Sequence, residues 1–326
     1  MGENMYKSLC TDGLGVSIRQ NELIELALTY GYKGIEIDMD DMVGRAEKMG
    51  DEFATQFVNA ANVDISTFEL PIDFGASEAD FKAQSGKLDK VCELAKSIGA
   101  KHCYINVKPT HATLTYQENF EKHTARITAI ADKLAEVGTK IGIQFAAGGT
   151  AGDEMRFVHQ PDEVLALVKT VGHDNVGFVL DTWNWQVAGG TLSELKELDL
   201  SKVFEVRLAD PEDGFDASNI DRTKRLEPGQ NSNSLCQQTL EWLVESNYEG
   251  PVALTAQVQK KAGNTGDILF QRIAKVLEQM EDGSHGKTPE ELAAEAGVDG
   301  EVGEGVETAS SEEDAAKVDE KPVASS

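Results

Sequence analysis

The chain has no run of about 20 apolar residues, the length a membrane-spanning helix requires. That removes a helical membrane protein from consideration. Met1-Gly2-Glu3-Asn4 shows no basic segment leading into an apolar one, so no secretory signal is expected. Cysteine is sparse: Cys10, Cys92, Cys103 and Cys236 are scattered and form no C-x-x-C pair. The expectation is reduced, buried thiols in a cytoplasmic protein. Positive charge is also short. There are 30 Lys and Arg against 57 Asp and Glu, a formal net charge of −27. Such a surface repels phosphate backbones and anionic membranes, so neither nucleic acid nor a membrane is an expected partner. Solubility or salt adaptation accounts for the charge; a basic partner is the alternative. There is no G-x-S-x-G, no H-E-x-x-H and no P-loop.

What is present is a long alternation followed by a tail. From Glu281 to Ser326 the chain carries fourteen acidic residues, three lysines and no aromatic residue. It cannot bury enough apolar area to offset its ordering entropy, so residues 281–326 are expected to be an acidic disordered tail. Thr288-Pro289-Glu290-Glu291 has helix-start chemistry, and a transient helix over Pro289 to Ala296 is the local exception. Residues 1–280 are expected to be one domain. Eight short β-rich runs are legible: Lys7 to Cys10, Gly34 to Asp38, Asp64 to Glu69, His102 to Val107, Lys140 to Phe145, Val176 to Asp181, Val203 to Leu208 and Val252 to Thr255. Between them lie apolar stripes of helical spacing. One follows Asn21, read as an N-cap. Another opens at a Thr115/Glu118 capping box, and a third runs from Leu88 to Ile98. Helices end at Gly31, Gly99 and Gly138, and a strand follows each. Eight such units predict a parallel (β/α)8 TIM barrel. An open doubly wound sheet is the alternative. The count, and the lack of a Gly-rich loop after the first strand, weigh against it.

In such a barrel, function sits at the C-terminal ends of the strands. The residues there are Thr11 and Asp12 after the first strand, Glu36 and Asp38 in the second and Glu69 in the third. Asn106 and Lys108 follow in the fourth, Gln144 in the fifth, Asp181 in the sixth, Arg207 in the seventh and Thr255 in the eighth. Glu36 and Glu69 are carboxylates near the ends of apolar strands, which makes them general-base candidates. A paired structural role is the competing reading for each. Trp183 and Trp185, read on a loop over the mouth, offer indoles that could stack on a sugar ring; core packing is the alternative. Arg156 could hold an anionic or hydroxyl-rich ligand, or form a surface ion pair. His111 and His159 lie in predicted loops, where a histidine is more often solvated than catalytic.

The stretch Asn175 through Trp183 (N-V-G-F-V-L-D-T-W) resembles the sixth strand of the xylose-isomerase-like barrel family. That family includes sugar isomerases, ketose 3-epimerases, inosose dehydratases and endonuclease-IV-type enzymes. Gly31 through Glu36, Val206 through Asp210, Pro228-Gly229 and Tyr248 through Leu254 extend the resemblance over most of residues 5 to 280. It implies one divalent metal held by Glu, Asp, His and Glu from strands five to eight. Those positions fall on Gln144, Asp181, Arg207 and Thr255, so only the aspartate is retained. The implied set carries about −3, which a divalent ion brings near −1. The residues present sum to about zero without an ion. Arg207 cannot lose its proton and offers donors only. The expectation is therefore no metal and no cofactor, with Arg207 paired to Asp181 where the ion would sit.

Three functions compete. One is a metal-independent binder of a sugar, polyol or related small molecule, without catalysis. The second is an active isomerase, epimerase or lyase, with Arg207 stabilising an enolate and Glu36, Glu69 or Asp181 moving the proton. In either case Gln144, Arg156, Trp183, Trp185 and Thr255 would contact the ligand. The third is an interaction protein acting through the acidic tail. Relatives that are dimers or tetramers add a homo-oligomer to the expectations.

Overall fold

The computed structural model describes residues 5–11, 18–148, 152–221, 223–256 and 266–281. The proposed tail from 282 onward, its helix over Pro289 to Ala296, and Asp12 lie outside the described residues. Among the described residues, ten strands occur in chain order. They are β1 (Met5–Leu9), β2 (Gly34–Ile37), β3 (Asp64–Phe68), β4 (His102–Val107), β5 (Thr110–His111), β6 (Lys140–Phe145), β7 (Met155–Arg156), β8 (Val176–Asp181), β9 (Val203–Leu208) and β10 (Gly250–Leu254). Eight of them form one parallel sheet in the order β3-β2-β1-β10-β9-β8-β6-β4. The sheet curls round until its edges meet. Glu69, just past β3, bridges Tyr104 of β4, and the Leu70 amide donates to the Tyr104 carbonyl at 2.8 Å. The eight-stranded parallel barrel read from the sequence is thus observed. Four strands carry the expected bounds. The first, second, third and last end one residue earlier than expected, and the first and last also begin two earlier.

The helices follow their apolar stripes. In α5 (Leu88–Ser97), Leu88, Val91, Leu94 and Ala95 turn inward; each fully buried large aliphatic side chain contributes about 1.5–3 kcal/mol. In α6 (Tyr116–Glu136), Thr115 and Glu118 exchange side-chain and backbone hydrogen bonds in the expected box. Gly31, Gly99 and Gly138 follow their helices at φ of +70°, +68° and +77°, a region that costs glycine little. Asn21 is not the cap of α1 (Gln20–Thr29). Arg19 stands there without a side-chain bond, and the helix begins one residue before Asn21. Gly177 in β8 has a packing reason: a Cβ there would come within 2.2 Å of the Lys202 carbonyl.

Several elements were not expected. The second crossover is split into α2 (Met39–Met49) and α3 (Asp51–Ala60), and α4 (Glu78–Ser85) precedes α5. β5 and β7 form a two-stranded antiparallel strip beside the mouth. After α7 (Pro161–Val171), the segment following Asp181 is α8 (Thr182–Val187) rather than a loop. Further along, α9 (Leu192–Leu195), α10 (Cys236–Glu245) and α11 (Gly266–Glu281) are the remaining described α-helices. No described helix is long and apolar enough to cross a membrane.

The core also holds a histidine. His123 of α6 is 3 % exposed, and its Nδ1 donates to the Asn119 carbonyl at 2.9 Å. Burial depresses its pKa to about 4, against which that hydrogen bond acts weakly. Between pH 4 and the unfolded value near 6.5, the unfolded chain binds the extra proton. Stability from this group is therefore full above pH 6.5 and lost as pH falls toward 4, by roughly 3 kcal/mol at most. Urea titrations of wild type and His123→Gln at several pH values should diverge by that order across the window. Parallel curves would contradict a neutral buried imidazole.

Candidate functional site

The ends of β6, β8 and β10 bring three predicted residues together through a fourth that was not predicted. Asp181 closes β8 and caps α8, its Oδ1 accepting the Asn184 amide at 3.1 Å. Its Oδ2 accepts from Gln144 Nε2 at 3.3 Å and from Arg225 Nη2 at 2.6 Å. The same Nη2 donates to Thr255 Oγ1 at 3.0 Å, and Arg225 Nε donates to the Thr255 carbonyl at 3.1 Å. The guanidinium lies over the Trp183 ring, 5.1 Å from its centroid. Asp181 and Thr255 are each 2 % exposed.

Arg225 stands on the long connection between β9 and α10, and tertiary bonds place it. Asp210 and Leu226 pair antiparallel, amide to carbonyl in both directions at 2.9 and 2.7 Å. That bridge fixes the backbone next to Arg225. The Asp210 carboxylate anchors the rest of the connection, accepting from Gly229 N (2.7 Å), Ser234 Oγ (2.9 Å) and Cys236 Sγ (3.2 Å). Burial raises the Asp210 pKa, and these hydrogen bonds oppose the rise. The sequence signal was faint: Arg225-Leu226 sits just ahead of the Pro228-Gly229 motif.

The pairing of Arg207 with Asp181 is corrected. The two are Cα partners on adjacent strands, as the motif mapping implies. Yet the Arg207 side chain, fully buried, turns along the barrel interior. Its Nη2 reaches Glu36 Oε2 at 3.0 Å and Glu205 Oε2 at 3.0 Å, and its Nε also meets Glu205 at 3.1 Å. The reason is geometric. Glu205 lies two residues earlier on the same strand and shares its face, while Asp181 is already held by Arg225. The guanidinium also covers the Tyr104 ring at 4.3 Å. Burial opposes its charge, but Cys10, Glu205, Tyr104 and Glu36 outweigh burial and raise its pKa.

Glu36 joins this interior network to the open part of the mouth. It accepts from Cys10 Sγ at 2.7 Å, Tyr104 Oη at 2.8 Å and Arg207. Of a carboxylate's roughly four lone-pair sites, about one is left. Its side chain is 12 % exposed. It faces a cleft of about 560 Å³ at the ends of β2, β3 and β4, lined by Glu36, Asp38, Asp40, Glu69, Asp73 and Lys108 among others. Thr11 and Asn106 also lie on this cleft. Asn106 Nδ2 donates to Glu69 at 2.8 Å, and Lys108 pairs with Asp73 at 2.6 Å. The cleft is therefore strongly acidic, with its one lysine already engaged.

The remaining predicted residues are placed differently. Trp183 and Trp185 are buried in α8, with indole N–H groups donating to the Lys224 and Thr191 carbonyls at 3.2 Å each. The loop position expected for them is thus overturned, because Asp181 caps a helix there. Arg156 lies exposed on β7 with His159 Nε2 3.4 Å from its Nη1. His159 also meets Glu163 at 3.0 Å.

A divalent ion does not fit the four mapped positions. They offer one carboxylate, and a guanidinium already sits 2.6 Å from it. Among the described residues, Cys10, Glu36 and Glu205 alone are close enough to share an ion. Arg207 Nη2 lies 3.0 Å from both of those carboxylates, which fills that position too.

Comparison with known proteins agrees with the fold. A family model described as xylose isomerase-like TIM barrel matches residues 24–279. An inosose isomerase of Halalkalibacterium halodurans is 25% identical over 177 residues, 54% of this chain and 60% of that protein. The chain thus spans about three-fifths of that curated relative. A xylose isomerase domain protein from Alicyclobacillus acidocaldarius superposes with a TM-score of 0.73 at 22% identity, covering 86% of this chain and 100% of the other. The IOLI protein, solved with a zinc atom, gives 0.73 at 20% identity, with 87% and 100% covered. At these identities the structural likenesses speak to fold alone. The chain belongs to the xylose isomerase-like TIM barrel family.

Proposed function

We propose that the chain binds a neutral, hydroxyl-rich small molecule, a sugar or cyclic polyol, at the C-terminal mouth without a divalent metal. The observation that carries this reading is the contact of Arg225 with Asp181 and Thr255, at 2.6 and 3.0 Å. It puts a permanent positive charge and fixed donors among the positions where metal ligands would converge. Gln144 supports the reading, since its buried Oε1 has no partner and can take a ligand hydroxyl. The acidic cleft at the ends of β2, β3 and β4 of the same mouth disfavours phosphorylated or carboxylated sugars. The inosose isomerase relatives point to the same ligand class. The tryptophans support the site from below: Arg225 lies over the Trp183 ring, and Trp183 and Trp185 are both buried in α8.

A catalytic version rests on a different observation, that Glu36 and Glu69 share one cleft. Glu69 is exposed there and Glu36 nearly saturated, which makes Glu69 the better proton acceptor for a carbon next to a carbonyl. In that version Arg225 takes over the enolate-stabilising role first assigned to Arg207, whose donors are spent on Glu36 and Glu205. The acidic tail, as an interaction segment, stays a separate proposal.

Calorimetric titration of EDTA-dialysed protein with inositols, inososes, ketoses and hexose phosphates tests the reading. Binding of neutral polyols should be unchanged by EDTA. It should weaken by about 10- to 100-fold in Arg225→Met, the worth of one charged hydrogen bond, about 1.5–3 kcal/mol. Binding that demands an added divalent ion, or that Arg225→Met leaves intact, would sink it. Turnover lost in Glu69→Gln with binding retained would favour the catalytic version.

A further inference from the structure

Beside the acidic cleft lies a second hollow of about 290 Å³. Asp73, Lys108, His111, Asn119, His123 and Glu154 line it. Asp73 and Lys108 line the larger cleft as well, so the two hollows meet along that ion pair. The Lys108 side chain is 68% exposed, which leaves the pair free to part.

We infer that this hollow is a second subsite, and that the natural ligand is a two-ring glycoside or disaccharide spanning both. The inference rests on the proposed binding of a neutral polyol at the mouth, where the cleft also opens.

The polar groups of the hollow are built rather than incidental. Asn119 is 2 % exposed, and its Oδ1 has no hydrogen-bond partner. A buried acceptor left without a donor is costly, and native proteins seldom keep one without a use for it. His123 commits its Nδ1–H to the Asn119 carbonyl, which puts the lone pair on Nε2. Burial keeps that ring neutral, so it accepts. His111 is the opposite tautomer. Its Nδ1 accepts the amides of Thr113 and Leu114 at 3.1 and 2.9 Å, so Nε2 carries the proton and donates. The residues lining the hollow thus offer both acceptors and donors. Hydroxyl groups, which do both, match this pattern.

Other ligand classes match less well. Asp73 and Glu154 would repel an anion. Among the described residues, the acidic and histidine groups of this hollow do not converge closely enough to share a metal ion.

The floor is fixed in advance. Arg126 Nη1 donates to the Phe74 and Ala76 carbonyls at 2.9 and 2.8 Å, and Lys122 Nζ to that of Gly75 at 2.9 Å. These bonds tie the β3–α4 connection to α6. The β5–β7 strip carries His111, paired with Met155. Holding a ring in a preformed site saves the ordering cost that binding otherwise carries.

Calorimetry on the full chain with glucose and myo-inositol against maltose, cellobiose and trehalose tests this. At least one two-ring sugar should bind about tenfold more tightly than the single rings. Asn119→Leu should remove that gain and leave single-ring affinity within about twofold. His111→Asn is a second variant less exposed to folding failure, because its Oδ1 can take over the two amides while the Nε2 donor is lost. It should also cut the gain. Single rings that bind while no two-ring sugar gains, or a gain that both variants keep, would overturn the subsite and leave the proposed function standing. No binding of any sugar would overturn both.

Discussion

Arg207→Met should lower the melting temperature by on the order of 10 °C. The guanidinium is fully buried, and Glu205 beside it is 1 % exposed. Removing one partner of a buried ion pair leaves a charge without compensation, which costs about 3–5 kcal/mol. In a domain of this size each kcal/mol moves the midpoint by about 2–4 °C. Methionine fills much of the same volume, so the loss would report charge rather than a void. The companion experiment separates the two. Replacing the whole set, Arg207→Met with Glu36→Leu and Glu205→Leu, should recover most of the loss, since an apolar replacement of a complete buried network is near neutral. Circular dichroism melts of the single and triple variants decide it. A single variant that melts within 2 °C of wild type would mean the network contributes little to stability.

The barrel was legible because strand and helix periods are local, and eight units in series leave few closed topologies. Four strands, His102 to Val107, Lys140 to Phe145, Val176 to Asp181 and Val203 to Leu208, match residue for residue. The Thr115/Glu118 cap matches too. What failed depends on tertiary context. Asn21 has cap chemistry, but the chain enters α1 two residues ahead of it, at Arg19. Asp181 reads equally well as a strand end and as a helix cap, and the fold uses it as both. That choice moved the two tryptophans from a loop into the core. The site was half legible. Strand ends offered Gln144, Asp181, Arg207 and Thr255, and all four are buried. Spacing could not tell which cation reaches Asp181. An arginine side chain is long enough to meet a partner on its own strand, its neighbour or across the barrel, and register alone does not choose. Arg225 was missed because the Asp210–Leu226 bridge delivers it, and no periodicity marks that bridge. The side hollow is of the same kind: α6, the β3–α4 connection and the β5–β7 strip supply it, far apart in sequence.

If Arg225 holds the place of an ion, removing it and restoring acidic ligands should create a metal site where the wild type has none. The variant is Gln144→Glu with Thr255→Glu and Arg225→Ala, leaving Arg207 in its own network. Gln144 Nε2 lies 3.3 Å from Asp181 Oδ2, and Thr255 Oγ1 lies 3.0 Å from the nitrogen to be removed. The two new carboxylates would thus face Asp181 across the vacated space. Without an ion, three carboxylates at close range repel one another, and the variant should melt well below wild type. With manganese or zinc the repulsion becomes ligation. An ion present at a thousand times its Kd stabilises the fold by about 4 kcal/mol, so the midpoint should rise by roughly 8–16 °C. Wild type should not respond, because its one carboxylate is occupied by a guanidinium. Melting curves with EDTA and with added manganese, alongside metal content after dialysis, give the answer. A triple variant whose midpoint ignores manganese would place the guanidinium away from the ligand positions, and the metal-replacement reading would fall with it.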